Sequence, residues 1–313
     1  MKYKVLVSAP YMQKDIDNLR PIFAKNNIIV DLPKVKERLS EDDLLAVISN
    51  YDGVICGDDA FTAKVFDKAN KLKVIAKWGT GIDSIDLAYA KKIGIRVYNT
   101  PNAFTNPVAD TVMGFILVFA RNIPWISDAM KTGVWHKIEG YSLSEKTLGI
   151  IGLGNIGQAV AKRAHSFGMN IVGNDIKKVS QKIIDDYGVE MMEINRLLDV
   201  ADYISLNCDL NRSSHHLISE KQFQLMKKSA IVINTSRGGV INESDLVNAL
   251  KKKYIAGAAL DVFEEEPLPQ DSPLRKLNNI ILSPHNANSS PYYYKKVHEN
   301  SINKLFEGLK IKK

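Results

Sequence analysis

The feature that most narrows what this chain can fold into is the run Gly152-Leu153-Gly154-Asn155-Ile156-Gly157. An apolar run, Leu148 to Ile151, precedes it, and a helix-patterned run, Gln158 to Phe167, follows it. Asp175 stands eighteen residues beyond Gly157, just after an apolar run from Asn170 to Gly173. Strand, glycine turn, helix, strand and acid is the order of a dinucleotide-binding βαβ unit. Gly152 permits the tight turn, Gly154 lets backbone approach a pyrophosphate, and Gly157 lets helix and strand pack closely. The helix N-terminus adds unpaired N–H groups and the positive end of a dipole. A carboxylate at Asp175 accepts hydrogen bonds from ribose hydroxyls and repels a 2′-phosphate, so NAD is expected rather than NADP. The loop by itself does not say what the dinucleotide is for, and a plain glycine turn in an α/β core is the competing reading.

The surrounding pattern sets the architecture. Residues 1–99 alternate strand-like and helix-like segments, with strands expected at Val5–Val7, Ile28–Val30, Val54–Cys56, Leu72–Ala76 and Ile95–Tyr98. A helix is expected from Asp15 to Ala24, open to interruption at Pro21, and another after a capping box of Ser40 and Asp43. After the glycine loop, strands are expected at Ile171–Asn174, Tyr203–Asn207, Ala230–Asn234, Ile255–Val262 and Ile280–Ser283. Such alternation means parallel sheets covered by helices. Asn99-Thr100-Pro101-Asn102 breaks the pattern and is taken as a domain junction. The expected fold is therefore α/β with two domains: a flavodoxin-like parallel α/β domain (1–99 plus 289–313) and a Rossmann domain (100–288) inserted into it. The tail helix, Pro291 to Leu309, needs a surface for Val297, Ile302, Leu305 and Phe306, and the first domain supplies it.

Composition closes off other classes. The formal charge is +7 with a pI near 9.1, but the lysines are scattered and no basic block is interleaved with aromatics. No nucleic-acid partner is expected. The two cysteines, Cys56 and Cys208, lie far apart and match no zinc spacing, and no metal site is expected. The N-terminus reads as a strand without a signal-peptide core. The longest apolar stretch, Val112 to Ala120, is too short for a membrane span. A cytoplasmic enzyme that forms a homodimer is expected. Val112–Ala120 is apolar on more than one side, which fits a core helix as well as a helix between domains or subunits.

Ligands of an open parallel sheet bind beyond the carboxyl ends of its strands. Three polar segments fall there: Asn234-Thr235-Ser236-Arg237-Gly238-Gly239, Asp261-Val262-Phe263-Glu264-Glu265-Glu266-Pro267, and Ser283-Pro284-His285-Asn286. They supply an arginine, an acid and a histidine. An arginine holds a carboxylate in a bidentate fork and polarises an adjacent carbonyl. A histidine passes a proton to or from the neighbouring oxygen. A carboxylate orients the imidazole and favours its charged form. Alone, each residue has a bland reading as a surface arginine, a solvated acid or a structural histidine.

These segments, with the glycine loop and Asp175, with Ala259-Leu260-Asp261-Val262-Phe263, and with Gly79-Thr80-Gly81-Ile82-Asp83-Ser84-Ile85-Asp86 upstream, resemble the D-isomer-specific 2-hydroxyacid dehydrogenase family over nearly the whole chain. The resemblance leans toward its phosphoglycerate dehydrogenase-like branch. It implies an NAD-dependent oxidoreductase that interconverts a D-2-hydroxy acid and its 2-oxo acid, phosphorylated (D-3-phosphoglycerate) or small (hydroxypyruvate, glyoxylate). It implies Arg237 as the substrate clamp, His285 as acid/base and Glu266 as its partner. Cofactor contacts are implied at Gly152, Gly154, Asn155, Ile156, Gly157 and Asp175, at Asn207, Cys208, Asp209 and Ser214 on the adenosine side, and at Thr235, Ser236 and Asp261 on the nicotinamide side. Backbone amides near Thr80 and Gly81, with Gly79, would hold the substrate carboxylate. Trp78 reads equally as a pocket wall or as core.

The chain departs from the family at Asn207-Cys208-Asp209, where His-x-Pro is common, at Phe104, where asparagine is common, and at Ala287-Asn288, where a glycine pair is common. These departures bear on substrate more than on reaction. Gly57-Asp58-Asp59 is acidic, leaving Lys77 as the basic residue nearby. No appended regulatory module is expected after residue 313. Glu264, Glu265, His215 and His216 are read as solvated, and His136, His165 and His298 as surface residues. Two rivals are a non-catalytic NAD(H)-sensing, corepressor-like protein and a nucleic-acid binder.

Overall fold

In the computed structural model, which describes residues 2–311, every strand pairs in parallel within one of two sheets. The first sheet holds β1 (Tyr3–Val7), β2 (Ile28–Asp31), β3 (Gly53–Cys56), β4 (Val74–Lys77) and β5 (Arg96–Tyr98), in the order β2-β1-β3-β4-β5. That is the flavodoxin-like order. The second holds β6 (Thr147–Ile151), β7 (Asn170–Asn174), β8 (Val189–Met191), β9 (Tyr203–Leu206), β10 (Ile231–Asn234), β11 (Gly257–Leu260) and β12 (Ile280–Leu282). Its order is β12-β11-β10-β9-β6-β7-β8, in which the direction of strand addition reverses between β6 and β9. That is the Rossmann arrangement, and the reversal marks where a ligand crevice opens.

The chain divides into two compact units, residues 1–104 with 289–313, and residues 105–288. The division falls after Phe104 rather than at Asn99, for local reasons. Thr100 N donates to Gly79 O (2.9 Å), Gly79 N donates to Thr100 Oγ1 (3.1 Å), and Phe104 packs on Trp78. Those bonds hold the 99–104 segment to the first sheet.

In the first unit, Leu6, Val54, Ile75, Phe61 and Phe66 fill one side of the sheet. The tail helix Pro291–Gly308 buries Val297, Ile302, Leu305 and Phe306. Its Gly308 lies so close to β4 that a Cβ there would meet Val74 Cγ2 at 2.2 Å. In the second unit, the helix Thr105–Arg121 is a core helix of that unit, with Val112, Phe115, Ile116 and Ala120 packed among Leu148, Ile150 and Ile233. The expected capping box of Ser40 and Asp43 forms, and Ser219 and Gln222 make another. Asn242 accepts from Asp245 N (3.1 Å).

Some elements differ from expectation. Pro21 lies inside the helix Ile16–Lys25 without breaking it, because its ring is on the exposed face, where water can serve the carbonyl that loses its donor. The strand β8 and the helix Gln181–Tyr187 are not among the expected elements. β8 has three residues at the sheet edge and only Val189 is buried, so no alternation can show. Among the described residues no single helix is long and apolar enough to cross a membrane.

Candidate active site

The second unit builds its polar ends from tight backbone packing. Gly152 has φ +89, and a Cβ there would lie 2.8 Å from Asn207 C and Cys208 N, so the loop after β6 runs against the loop after β9. A Cβ on Gly157 would meet Gly152 O at 2.0 Å. Gly154 differs: a Cβ there meets nothing within 4 Å. The space above Gly154 is open, as a bound phosphate would need. The helix Asn155–Ser166 starts directly on this loop, earlier than its apolar pattern indicates, and no side chain caps it. Its first amides are thus left for an anion. Asp175 fixes the loop: Oδ2 accepts from Leu153 N and Oδ1 from Lys177 N, both at 2.7 Å.

Across the crevice, Asn207 Nδ2 donates to Ser205 O (3.1 Å). Burial pushes the Cys208 thiol up to about 11, so it is uncharged near neutrality. The Ser214 hydroxyl is buried, donates to Asp209 O (2.6 Å) and accepts from Asn211 N (2.8 Å), closing the 209–214 turn.

After β10, Asn234 organises the next loop. Its Oδ1 accepts from Ser236 N (3.0 Å) and Ser236 Oγ (2.8 Å), and its Nδ2 donates to Arg237 O (2.9 Å). Thr235, next to it, is half-buried. Arg237 Nη1 donates to Ser236 O (2.8 Å). A Cβ on Gly238 would lie 1.9 Å from Phe263 C, so the arginine loop lies directly against the acidic loop after β11.

His285 Nδ1 meets Glu266 Oε2 at 2.9 Å, with side-chain exposures of 21% and 15%. Glu266 Oε1 accepts from Phe263 N (2.9 Å). A carboxylate can only accept, so Nδ1 carries the hydrogen of this contact. His285 itself is held at φ +49, a conformation uncommon outside glycine. Asp261 supports it: His285 N donates to Asp261 O (2.7 Å), while Asn286 N and Ala287 N donate to its two carboxylate oxygens (2.8 Å each). Asp261 is buried, and this brace was not visible in the sequence.

The first unit carries Trp78 and the loop Gly79-Thr80-Gly81 after β4. Thr80 Oγ1 donates to Thr100 O (3.1 Å) and Asn99 Nδ2 to Thr80 O (2.6 Å), which rigidify the loop. The Gly79 amide is engaged by Thr100, whereas among the described residues the Thr80 and Gly81 amides donate to no backbone carbonyl. Trp78 is buried, and its Nε1 donates to His298 Nδ1 (2.8 Å). His298 is thus a buried partner of Trp78, not a surface residue. Burial pulls its pKa below the ordinary 6.5, and Asp15 opposes this weakly. Glu264 and His216 are likewise not simply solvated: His216 Nε2 meets Glu264 Oε1 at 2.6 Å. Sequence distance hid both pairs.

The sequence profile described as "D-isomer specific 2-hydroxyacid dehydrogenase, NAD binding domain" matches residues 113–287, more than half of the chain. The chain belongs to this family. A D-3-phosphoglycerate dehydrogenase of Methanocaldococcus jannaschii is 44% identical over 261 residues, covering 82% of this chain and 49% of that protein. The chain thus spans about half the length of that relative. A glyoxylate reductase of Korarchaeum cryptofilum is 36% identical, covering 93% of this chain and 88% of the other. The crystal structure of a D-lactate dehydrogenase from Aquifex aeolicus, complexed with NAD and lactic acid, superposes with a TM-score of 0.88 at 26% identity, covering 98% and 95% of the two chains. As a family member the chain is an NAD-dependent oxidoreductase of D-2-hydroxy acids. The open space at Gly154, the uncapped helix and the fixed Asp175 carboxylate fit that cofactor.

Proposed function

We propose that this family member acts as a general D-2-hydroxyacid dehydrogenase, with His285 as acid/base, Glu266 as its partner and Arg237 as the carboxylate clamp. The observation that carries this reading is the Glu266–His285 pair at 2.9 Å beside a braced arginine loop. NAD(H), when bound, supplies or accepts the hydride at the substrate's C2. In reduction, protonated His285 gives its Nε2 proton to the forming alkoxide oxygen, and Glu266 holds the ring and stabilises its charge. Arg237 clamps the carboxylate and orients the carbonyl; in the first unit, the Thr80 and Gly81 amides are the donors proposed for a substrate carboxylate. Gly154 to Gly157 would carry the pyrophosphate, and Asn207 to Asp209, Ser214, Thr235, Ser236 and Asp261 would border the rest of the cofactor. The test is NADH oxidation over glyoxylate, hydroxypyruvate, pyruvate, branched 2-oxo acids and phosphohydroxypyruvate. Failure to reduce any of them, with NADH binding retained, would return the chain to the class of NAD(H) sensors.

The Asp175 carboxylate is held in place by two backbone amides, so it cannot swing away from a 2′-phosphate. The kcat/KM for NADH is therefore expected to exceed that for NADPH at least tenfold, about 1.4 kcal/mol, and Asp175→Ala should narrow the gap. Equal values in the natural enzyme would count against this role. We also read the exposed apolar run of Ile123, Met130, Val134, Trp135, Ile138 and Tyr141 as the face that a second copy covers. Sedimentation at a monomer's mass would refute it.

A further inference from the structure

We infer that Tyr294 reads the substituent the substrate carries beyond its 2-oxo acid group, and that this substituent is neutral and bears a hydroxyl. The inference rests on the reading of the Thr80 and Gly81 amides as the carboxylate site.

Trp78 leads directly into that loop and is fixed in place. Its N donates to Cys56 O (2.8 Å) and its Nε1 to His298 Nδ1 (2.8 Å). Rings gather around it: Tyr11 stacks at 5.1 Å, Phe104 lies at 5.3 Å and Tyr294 at 5.6 Å. Tyr294 also meets Tyr11 at 4.6 Å and Phe104 edge-on at 6.4 Å. The ring of Tyr294 is thus placed by three aromatic neighbours, one of them Trp78, the residue before the loop. Its hydroxyl is buried and, among the described residues, has no hydrogen-bond partner. A buried unpaired hydroxyl is destabilising, and the rings around it offer only faces and edges. Phenylalanine would fill the same space without that penalty. A hydroxyl on a bound molecule both accepts from and donates to a phenol, and would complete Tyr294.

Charge argues in the same direction. Lys77 closes β4, and its Nζ lies against the loop, 3.2 Å from where a Gly79 Cβ would sit. The residue is 3% exposed, and Nζ pairs with Asp58 Oδ1 (3.2 Å) and donates to Trp78 O (3.1 Å). Asp59, beside Asp58, is fully buried, and burial raises its pKa. The ammonium is already neutralised, so a phosphate on the substrate would meet a spent cation and an acidic neighbour.

The decisive measurement is the ratio of kcat/KM for hydroxypyruvate to that for pyruvate, which differ by one hydroxyl. In the natural enzyme the ratio should be at least ten, and phosphohydroxypyruvate should fall at least tenfold below hydroxypyruvate. Tyr294→Phe keeps the ring and should lower the hydroxypyruvate-to-pyruvate ratio by about tenfold, with melting temperature and NADH binding reporting that the variant is folded. A natural ratio below ten, an unchanged ratio in folded Tyr294→Phe, or a preference for phosphohydroxypyruvate would each overturn the inference. Turnover of none of the acids would refute the dehydrogenase reading itself, and this inference with it.

Discussion

His285→Ala is expected to lower kcat by on the order of 10²-fold or more, with affinity for NADH largely kept. The size follows from how much structure serves one imidazole. Asp261 holds the backbone of His285 through its own carbonyl and holds the next two amides through its carboxylate. Glu266 holds Nδ1 and is itself held by Phe263 N. That network fixes which nitrogen carries the exchangeable proton. Alanine removes that proton, while the glycine loop and Asp175 that would bind the dinucleotide are separate parts of the unit. Steady-state turnover together with NADH titration separates the two effects. Near-normal kcat in the variant would remove His285 from the mechanism. Glu266→Gln should fall between alanine and the natural enzyme, because the amide oxygen can still orient Nδ1–H but carries no charge to stabilise the imidazolium.

What could be seen in the sequence was local. Fully buried strands such as Ile231–Asn234 show as apolar runs, and the polar residues at their ends mark the ligand side of a parallel sheet. The glycine loop showed as a motif, but its three glycines have three separate causes, one of them the Asn207–Cys208 backbone across the crevice. That cause lies far away in sequence. Gly238 is similar: it reads as part of a motif, and only the structure shows it pressed on the Phe263 carbonyl. His298 was hidden for a related reason. A histidine on a mixed polar helix has no periodic signature, and its partner Trp78 is 220 positions away. The aromatic cluster around Trp78 draws on Tyr11, Phe104 and Tyr294, from three different stretches. β8 escaped because three residues are too few for a pattern.

Arg237→Gln should lower kcat/KM for the preferred 2-oxo acid by about 10²–10³-fold, the cost of removing one partner of a close charge pair. Most of the loss should appear as a raised KM, because the carboxylate is present in ground state and transition state alike. A further loss in kcat reports the part of Arg237 that polarises the carbonyl. The loop leaves little room for compensation. Asn234 fixes the Ser236 and Arg237 backbone, and Gly238 is wedged against the 263–264 peptide, so a neighbouring group cannot move in. Arg237→Lys distinguishes charge from shape. Lysine keeps the positive charge but presents a point donor in place of a planar fork. If the fork matters, Arg237→Lys stays well below the natural enzyme. If charge alone suffices, it recovers most of the activity that Arg237→Gln loses. An unchanged KM in Arg237→Gln would mean that the carboxylate is held without Arg237.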